Sequence, residues 1–499
     1  MGEISPELVW SYVIQVIFWG NILLGTVLVF AEHRNPSSTW AWLLVLYFIP
    51  VLGFLLYLFF GQDLRKRHLF KAKQQEDQTA IARYQAENID EGKTVSDRVK
   101  KRYYDMIRML LQSANAVVTD RNEVDLFSDG TDKFEALIAD LKAADSYIWM
   151  QYYIFHNDEL GKRIMDVLVE KAKQGVDVRL ITDGMGSRRE PRRFFRRLEK
   201  AGGHVVVFYK LLLPWISARI NFRNHRKNVV IDGKIGYVGG FNVGDEYLGK
   251  GKLGYWRDTH LRVQGDAVAE LAMRFVLDWN YASPDKIDSA DFYHRDRSKD
   301  EVIPCLHQDG KLHDHHQNVI MQIVSSGPDS EYQNIRNGYI KMINEAEHHV
   351  FIESPYLVLD EAVMETLKVA ALSGIDVRII IPTKPDHLGI DGANMSFVGE
   401  LLPAGVRIFR YKDGFVHSKT ILADDQLCAV GTANMDVRSF KLDFEVSAFI
   451  YDNGINAELT REFIKDQAAS EEITWEIYQN RSLWMRFKQS LMRLISPLL

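Results

Sequence analysis

A short polar pattern occurs twice in this chain, as His225-x-Lys227-x4-Asp232 and as His417-x-Lys419-x4-Asp424. Each copy is followed by a small-residue turn ending in asparagine: Gly239-Gly240-Phe241-Asn242 in the first, Gly431-Thr432-Ala433-Asn434 in the second. The interval from aspartate to glycine turn is the same in both, and both lie among strand-like apolar residues. A lone His-x-Lys on a strand reads as a solvated face. Two copies at matched intervals read as paired halves of one active site.

The residue types define the chemistry. Side chains two apart on a strand point to the same face, so His225 stands beside Lys227 and His417 beside Lys419. Two imidazoles and two fixed ammonium charges around one cavity make a phosphate site. One neutral imidazole attacks phosphorus, and the other, protonated, hands its proton to the leaving alkoxide. The lysines meanwhile stabilise the charged equatorial oxygens. The cations are built in, so the chemistry calls for no cofactor and no metal.

The elements that must position these residues form an internal repeat. Residues 147–154 read as a strand, 159–174 as a helix and 175–181 as a strand; the second half repeats this at 350–356, 360–372 and 374–380. Gly175 and Gly374 close the helices, and β-branched strands follow. The expected fold is α/β: two pseudo-symmetric sandwich domains, at 119–300 and 317–470, with the boundary between 283 and 317. Residues 63–118 read as a basic, helical connector, and 471–499 as a basic amphipathic tail.

Ahead of the repeat lie two long apolar stretches, about 8–31 and 40–60, read as a two-helix membrane hairpin occupying 1–62. A cleaved signal peptide fits poorly, because no Lys or Arg precedes Arg34 and the apolar run is too long. A buried hairpin in a soluble core is the other reading. Trp10, Trp19, Trp40 and Trp42 suit the interfaces, and Pro50 with Gly53 kinks the second helix. Residues 32–38 carry one arginine, whereas Arg65, Lys66, Arg67, Lys71 and Lys73 crowd the exit. The positive-inside rule then puts the catalytic region and the amino terminus in the cytoplasm, on a multi-pass anchor in the cell membrane.

The duplicated His-Lys-Asp motif resembles that of the phospholipase D superfamily. Taken whole, it makes His225, Lys227, Asp232, His417, Lys419 and Asp424 the catalytic candidates. The resemblance implies a covalent phosphohistidine, with His225 matching the usual nucleophile and His417 the usual acid/base; the sequence alone does not order them. It also implies phosphate binding by Lys227, Lys419, Asn242 and Asn434. A carboxylate about thirty residues downstream of each histidine is expected to orient it, which points to Asp258 and Glu445. Asp258 lies five residues further along its repeat than Glu445 does, within an apparent insertion near 247–254. Asp232 and Asp424 read as structural within the motif, since a spacing of seven from histidine puts them at a strand end near a turn.

Residues 35–44, Pro50-Val51-Leu52-Gly53, Phe59-Phe60-Gly61, Phe222-Arg223-Asn224-His225-Arg226-Lys227 and Tyr255-Trp256-Arg257-Asp258 resemble bacterial cardiolipin synthases. That likeness implies phosphatidyl transfer between two phosphatidylglycerol molecules, with anionic lipids as partners. Two other stretches suit such a site. Residues 211–216 form an apolar run around Pro214, read equally as a lipid-dipping loop or a core segment. In the tail, Trp484, Phe487, Leu491, Leu494 and Leu498 recur at helical spacing among Arg481, Arg486, Lys488 and Arg493, which reads as a helix lying on an anionic surface or packed on the catalytic domain.

The chain has 499 residues and a net charge of −6, which argues against a general nucleic-acid binder. Its two cysteines, Cys305 and Cys428, give neither a disulfide framework nor zinc-ligand spacing. The run His313-Asp314-His315-His316 invites a metal, but its polar setting between the repeats reads as a solvated loop. Other readings of the motif are a phosphodiesterase that uses water, a phosphatidylserine synthase-like transferase, and a non-catalytic scaffold, the last disfavoured by two intact motifs. Oligomeric state is not legible.

Overall fold

A computed structural model describes residues 6–30, 36–60, 73, 97–209, 221–288, 301–305, 315–387 and 389–495. The chain divides into two compact units, Met1–Glu76 with Leu211–Phe222, and Asp77–Lys210 with Arg223–Leu499. The apolar run at 211–216 lies outside the described residues.

In the smaller unit, Pro6–Phe30 is one helix of 25 residues. Its stretch Tyr12–Phe30 is long and apolar enough to cross a bilayer, and only 6% of its best window is buried in protein. So exposed an apolar surface suits lipid better than the interior of a soluble core. The second apolar stretch departs from the expected single helix. It forms two short helices, Pro36–Phe48 and Pro50–Phe60, and the rings of Trp42 and Tyr57 meet at 5.4 Å. In one straight helix those residues would stand roughly 20 Å apart. Pro50 lacks the N–H that would continue the ladder, and Gly53 approaches so closely that a Cβ there would lie 2.5 Å from the Val45 carbonyl oxygen. Asn21 Nδ2 donates to the carbonyls of Leu46 and Pro50, 3.2 Å each, serving backbone groups that the bend leaves over.

The larger unit is a mixed α/β structure. Its first half contributes β1 (Val118–Phe127), β2 (Tyr147–Tyr152), β3 (Asp177–Asp183), β4 (His204–Phe208), β5 (Arg223–Asn224), β6 (Asn228–Ile231), β7 (Ile235–Gly239), β8 (Trp256–Arg257) and β9 (His260–Gly265). The second half contributes β10 (His315–Ser326), β11 (His349–Glu353), β12 (Leu357–Val358), β13 (Asp376–Pro382), β14 (Arg407–Tyr411), β15 (Phe415–Val416) and β16 (Thr420–Ala423). It continues with β17 (Leu427–Gly431), β18 (Met435–Asp436), β19 (Asp443–Tyr451) and β20 (Ser470–Ile473).

Sixteen of these strands share one sheet, in the order β20-β14-β13-β11-β16-β17-β19-β10-β1-β9-β7-β6-β2-β3-β4, with β5 joined to β19. Reading outward from the antiparallel pair β1–β10, each half repeats the order of the other, and β20 is an added edge. The duplication expected from sequence is therefore present, and the sheet runs on from one half into the other. Matching devices build each half. The helix Glu159–Lys173 is capped by Asp158, whose carboxylate accepts from the Gly161 N–H, and Glu361–Leu372 by Asp360, which accepts from Val363. Past each helix a glycine at positive φ, Gly175 or Gly374, turns the chain into the parallel strand.

Each half keeps its own apolar core. Leu137, Ile164, Leu168, Leu180 and Val229 anchor the first, and Val350, Leu367, Ile379, Ile408 and Ile421 the second. The helix Asp97–Ala114, expected as a connector, sinks Tyr103, Met106 and Leu110 into the core of the second half. Of the histidine run, His313 and Asp314 lie outside the described residues. His315 and His316 begin β10 instead of lying in a solvated loop. His315 Nδ1 is 2.9 Å from Asp125 and its Nε2 2.7 Å from Glu123, while His316 Nε2 is 2.7 Å from Glu458.

Candidate active site

Both histidines stand on short extended segments that leave their own half and pair with the other. β5 runs parallel to the start of β19, with Arg223 opposite Asp443 and Asn224 opposite Phe444. The His225 N–H continues this ladder to the Phe444 carbonyl at 3.0 Å. In mirror fashion β15 runs parallel to β8, with Phe415 opposite Trp256, and the His417 N–H donates to the Arg257 carbonyl at 2.6 Å.

This exchange decides which carboxylate meets which histidine. His225 Nδ1 is 2.9 and 3.0 Å from the two oxygens of Glu445, and His417 Nδ1 is 2.5 Å from Asp258 Oδ2. The same-repeat pairing suggested by a carboxylate downstream of each histidine is overturned, because each carboxylate serves the histidine of the opposite half. An Nδ1–H donated to a carboxylate fixes the tautomer and leaves the Nε2 lone pair free. Both carboxylates are themselves held: Glu445 accepts from the Thr432 hydroxyl, and Asp258 Oδ1 from the Thr259 N–H at 2.7 Å.

Lys227 and Lys419 are buried. Lys227 Nζ donates to the carbonyl of His225 at 2.6 Å, and Lys419 Nζ to that of His417. The ammonium of Lys419 also lies 3.9 Å from Asp258 Oδ2. Burial, opposed by Glu445, brings Lys227 down to about 7. Burial, opposed by Asp258 and Glu445, brings Lys419 to about 8. Burial and then Lys419 lower His417 to about 4, against the pull of Asp258. Burial, Lys227 and Lys419 hold His225 well below its usual value. Each histidine thus feels the lysine of the other motif as well as its own. Burial raises Glu445 to about 7. It pushes Asp258 up too, but Lys419 and His417 outweigh it and hold that carboxyl below the usual range.

The glycine turns have a steric reason. A Cβ on Gly240 would sit 2.0 Å from Asp258 Oδ1, and one on Gly431 the same distance from Ser447 Oγ. Asn242 and Asn434 end these turns differently. Asn242 Oδ1 accepts from the Ile154 N–H and its Nδ2 donates to Tyr247 Oη, each at 3.2 Å. Asn434 Oδ1 is buried with no hydrogen-bond partner among the described residues, and its backbone N–H donates to Ser439 Oγ at 3.2 Å.

Asp232 and Asp424 belong to the motif in sequence but not to the reacting cluster. The Asp232 carboxylate accepts from the N–H groups of Asp145, Ser146 and Tyr147, all at 2.8 Å. Asp424 accepts from Glu347, His348 and His349 at 2.9, 2.8 and 3.0 Å. Each fastens the entry to the neighbouring strand, at φ 52° and 51°. Both carboxylates therefore serve backbone amides at strand entries, from turn positions.

Sequence reasoning missed several neighbours. Tyr247 Oη lies 3.2 Å from His417 Nδ1; it sits in the insertion, which has no counterpart in the other repeat. The ring of Tyr153 stands 4.9 Å from that of His225, centroid to centroid. Arg438 Nε is 3.3 Å from Asp443 Oδ2 and its charge reaches His225. Arg257 Nε binds Asp466 at 2.7 Å, and its Nη2 lies 3.8 Å from Glu353, joining a first-half arginine to second-half acids. Among the described residues, no group of three or more His, Cys, Asp or Glu is arranged to hold a metal ion.

Two histidine-lysine pairs on a shared mixed sheet, each histidine held by a carboxylate of the opposite half, place the molecule with the duplicated phospholipase D-like proteins. A family described as "Cardiolipin synthase, PLD-like domain" matches residues 137–269 and 339–467, and one described as "Phospholipase_D-nuclease N-terminal" matches 13–62. The major cardiolipin synthase ClsA of Bacillus subtilis is 48% identical, over 98% of this chain and 99% of its own. The cardiolipin synthase of Listeria innocua is 47% identical with the same coverage, and that of Staphylococcus aureus 45% over 98% of both chains. The chain belongs to the cardiolipin synthase family. A crystal structure of phosphatidylserine synthase from Haemophilus influenzae shares the fold, at a TM-score of 0.58 and 14% identity over 79% of this chain and all of that one.

Proposed function

We propose that this chain joins two phosphatidylglycerol molecules, giving cardiolipin and glycerol. The observation that carries the reading is the pair of histidines, each with Nδ1 tied to a carboxylate across the sheet, beside two buried lysines. His225 Nε2 attacks the phosphorus of the first lipid. The bond to the glycerol headgroup breaks, and His417 gives its proton to the departing alkoxide. A phosphatidyl-histidine remains, and His417 is neutral. It then takes the proton from the terminal hydroxyl of the second phosphatidylglycerol, whose oxygen attacks phosphorus and displaces His225. Cardiolipin leaves with both histidines restored.

The lysines supply the fixed positive charge that the pentacoordinate oxygens need, helped by Asn434 and by the remaining N–H of Asn242. The phosphodiester anion offsets the lysines' repulsion of a proton on His417, so His417 becomes protonated with the substrate in place. Incubation of the detergent-solubilised enzyme with phosphatidylglycerol alone tests the reading. Cardiolipin and glycerol in equal amounts, absent with His225→Ala, support it. Phosphatidic acid alone would mean that water is the acceptor.

We propose further that the catalytic unit lies on the cytoplasmic face of a multi-pass anchor, from the basic residues Arg65, Lys66, Arg67, Lys71 and Lys73 that follow the apolar segments. The fold-back of 36–60 favours a second reading, in which that segment enters and leaves on one side. Thiol labelling of a Ser5→Cys chain from either face separates the two. Labelling from the cytoplasm means both segments cross, and labelling from outside means only the first does.

A further inference from the structure

The helix Leu483–Ile495 is fastened along one side. Gln489 is 6% exposed and accepts from Arg481 Nη1. Met492 packs on Gly392. Arg493 pairs with Glu400 and lies over the Phe397 ring, 5.1 Å from its centroid. The seat is therefore the helix Ile390–Leu401. The remaining surface is apolar and open: Leu483 is 81% exposed, Trp484 72%, Phe487 60% and Leu491 46%. A helix that only packed on the catalytic unit would bury these side chains and expose its polar ones. Here the ring-bearing face points outward.

We infer that the outward face of Leu483–Ile495 is a lipid-docking surface, which seats the catalytic unit on an anionic bilayer independently of the amino-terminal helices. Charge selects the occupant. Arg486 and Lys488 stand exposed beside the apolar residues, and no acid follows Glu476. A second copy of this face would bring cations against cations, whereas anionic headgroups complement them at roughly 1 kcal/mol each near the surface. Trp484 and Phe487 suit the boundary between headgroup and acyl chain.

The seat also lies next to the chemistry. The helix Ile390–Leu401 follows Asp386, whose carboxylate accepts from Tyr356 Oη at 2.5 Å and whose charge reaches Lys419. Asn394 Oδ1 accepts from the Leu357 N–H at 2.9 Å, tying the same helix to that wall. Lipid on the tail would put this wall of the site roughly one helix diameter, about 10 Å, from the bilayer surface.

The test uses the full chain in nanodiscs, with Phe487→Cys carrying a polarity-sensitive fluorophore; Cys305 and Cys428 are buried. The inference expects a blue-shifted emission that doxyl-labelled lipid quenches at least twofold in phosphatidylglycerol-containing discs, and less in phosphatidylcholine alone. Emission that stays aqueous and unquenched overturns it. So does a blue shift that lipid does not quench and that grows with protein per disc, which would mean a second copy covers the face. A companion chain carrying Trp484→Glu, Phe487→Glu and Leu491→Glu should keep its melting temperature and its kcat in detergent. Its KM in surface-diluted lipid should rise about tenfold or more. The quenching needs no turnover, so failure of the proposed reaction and failure of this inference are read separately.

Discussion

Glu445 holds His225 from a distance of 220 residues along the chain, its Oε1 2.9 Å from the imidazole Nδ1. The relation is reciprocal, since Asp258 holds His417 across 159 residues. Exchange of the carboxylates between halves gives each a separable effect. Glu445→Gln should slow formation of the phosphohistidine roughly 10²–10⁴-fold by freeing the tautomer of the attacking histidine. Rapid-quench trapping of labelled lipid on the protein checks this.

The order of the histidines can be read from a leaving group that needs no proton. With a phosphatidyl ester of p-nitrophenol, His417→Ala should release nitrophenolate in a burst within about tenfold of the unaltered rate, although it loses roughly 10²–10⁴-fold on phosphatidylglycerol. His225→Ala should be silent on both. The reverse pattern would exchange their roles.

Lys227 near 7 and Lys419 near 8 make lipid binding pH-dependent. A phosphodiester anion favours the charged ammonium and raises both values, so binding takes up protons. Affinity for a nonreactive phosphonate analogue should be full below about pH 7 and fall as pH rises through 7 to 8. Lys227→Arg should move the fall upward, toward the titration of Lys419. Calorimetric titration across pH, in two buffers of different ionisation enthalpy, measures both the affinity and the proton uptake.

A methyl group at Gly240 would sit 2.0 Å from Asp258 Oδ1 and push the carboxylate off His417. Gly240→Ala should cost about 10²-fold in turnover of phosphatidylglycerol and spare the nitrophenolate burst. Equal loss on both substrates would place the damage elsewhere in the fold.

Asp424→Ala removes an acceptor for three backbone N–H groups. About 2–3 kcal/mol of stability should go with it, seen as a lower melting temperature. Activity per folded molecule should survive, which a catalytic aspartate would not allow.

The His-x-Lys pairs, the glycine turns and the strand-helix-strand units were legible because each rests on local spacing that the second repeat confirms. The pairing of Glu445 with His225 was not, because it depends on the register of β5 against β19, set by contacts over two hundred residues apart. Tyr247 escaped because its insertion has no twin to compare. The first residues of β10 escaped because a polar opening, His315-His316-Gln317-Asn318, hides the strand that begins there. Proline at 50 was legible as a kink in one helix, but how far the chain turns depends on Asn21 and on the contact between Trp42 and Tyr57, which no window along the sequence contains.

The crossed pairing also sets a time during synthesis. When His225 leaves the ribosome its carboxylate is still 220 residues from being made, roughly 10–40 s at ordinary rates of translation. On the proposed order of the histidines, the half-made chain through that interval carries its nucleophile in no fixed tautomer. The proposed mechanism then requires the distal half, which supplies both Glu445 and His417, before any lipid is turned over, so an unfinished or truncated product should stay inert toward phosphatidylglycerol.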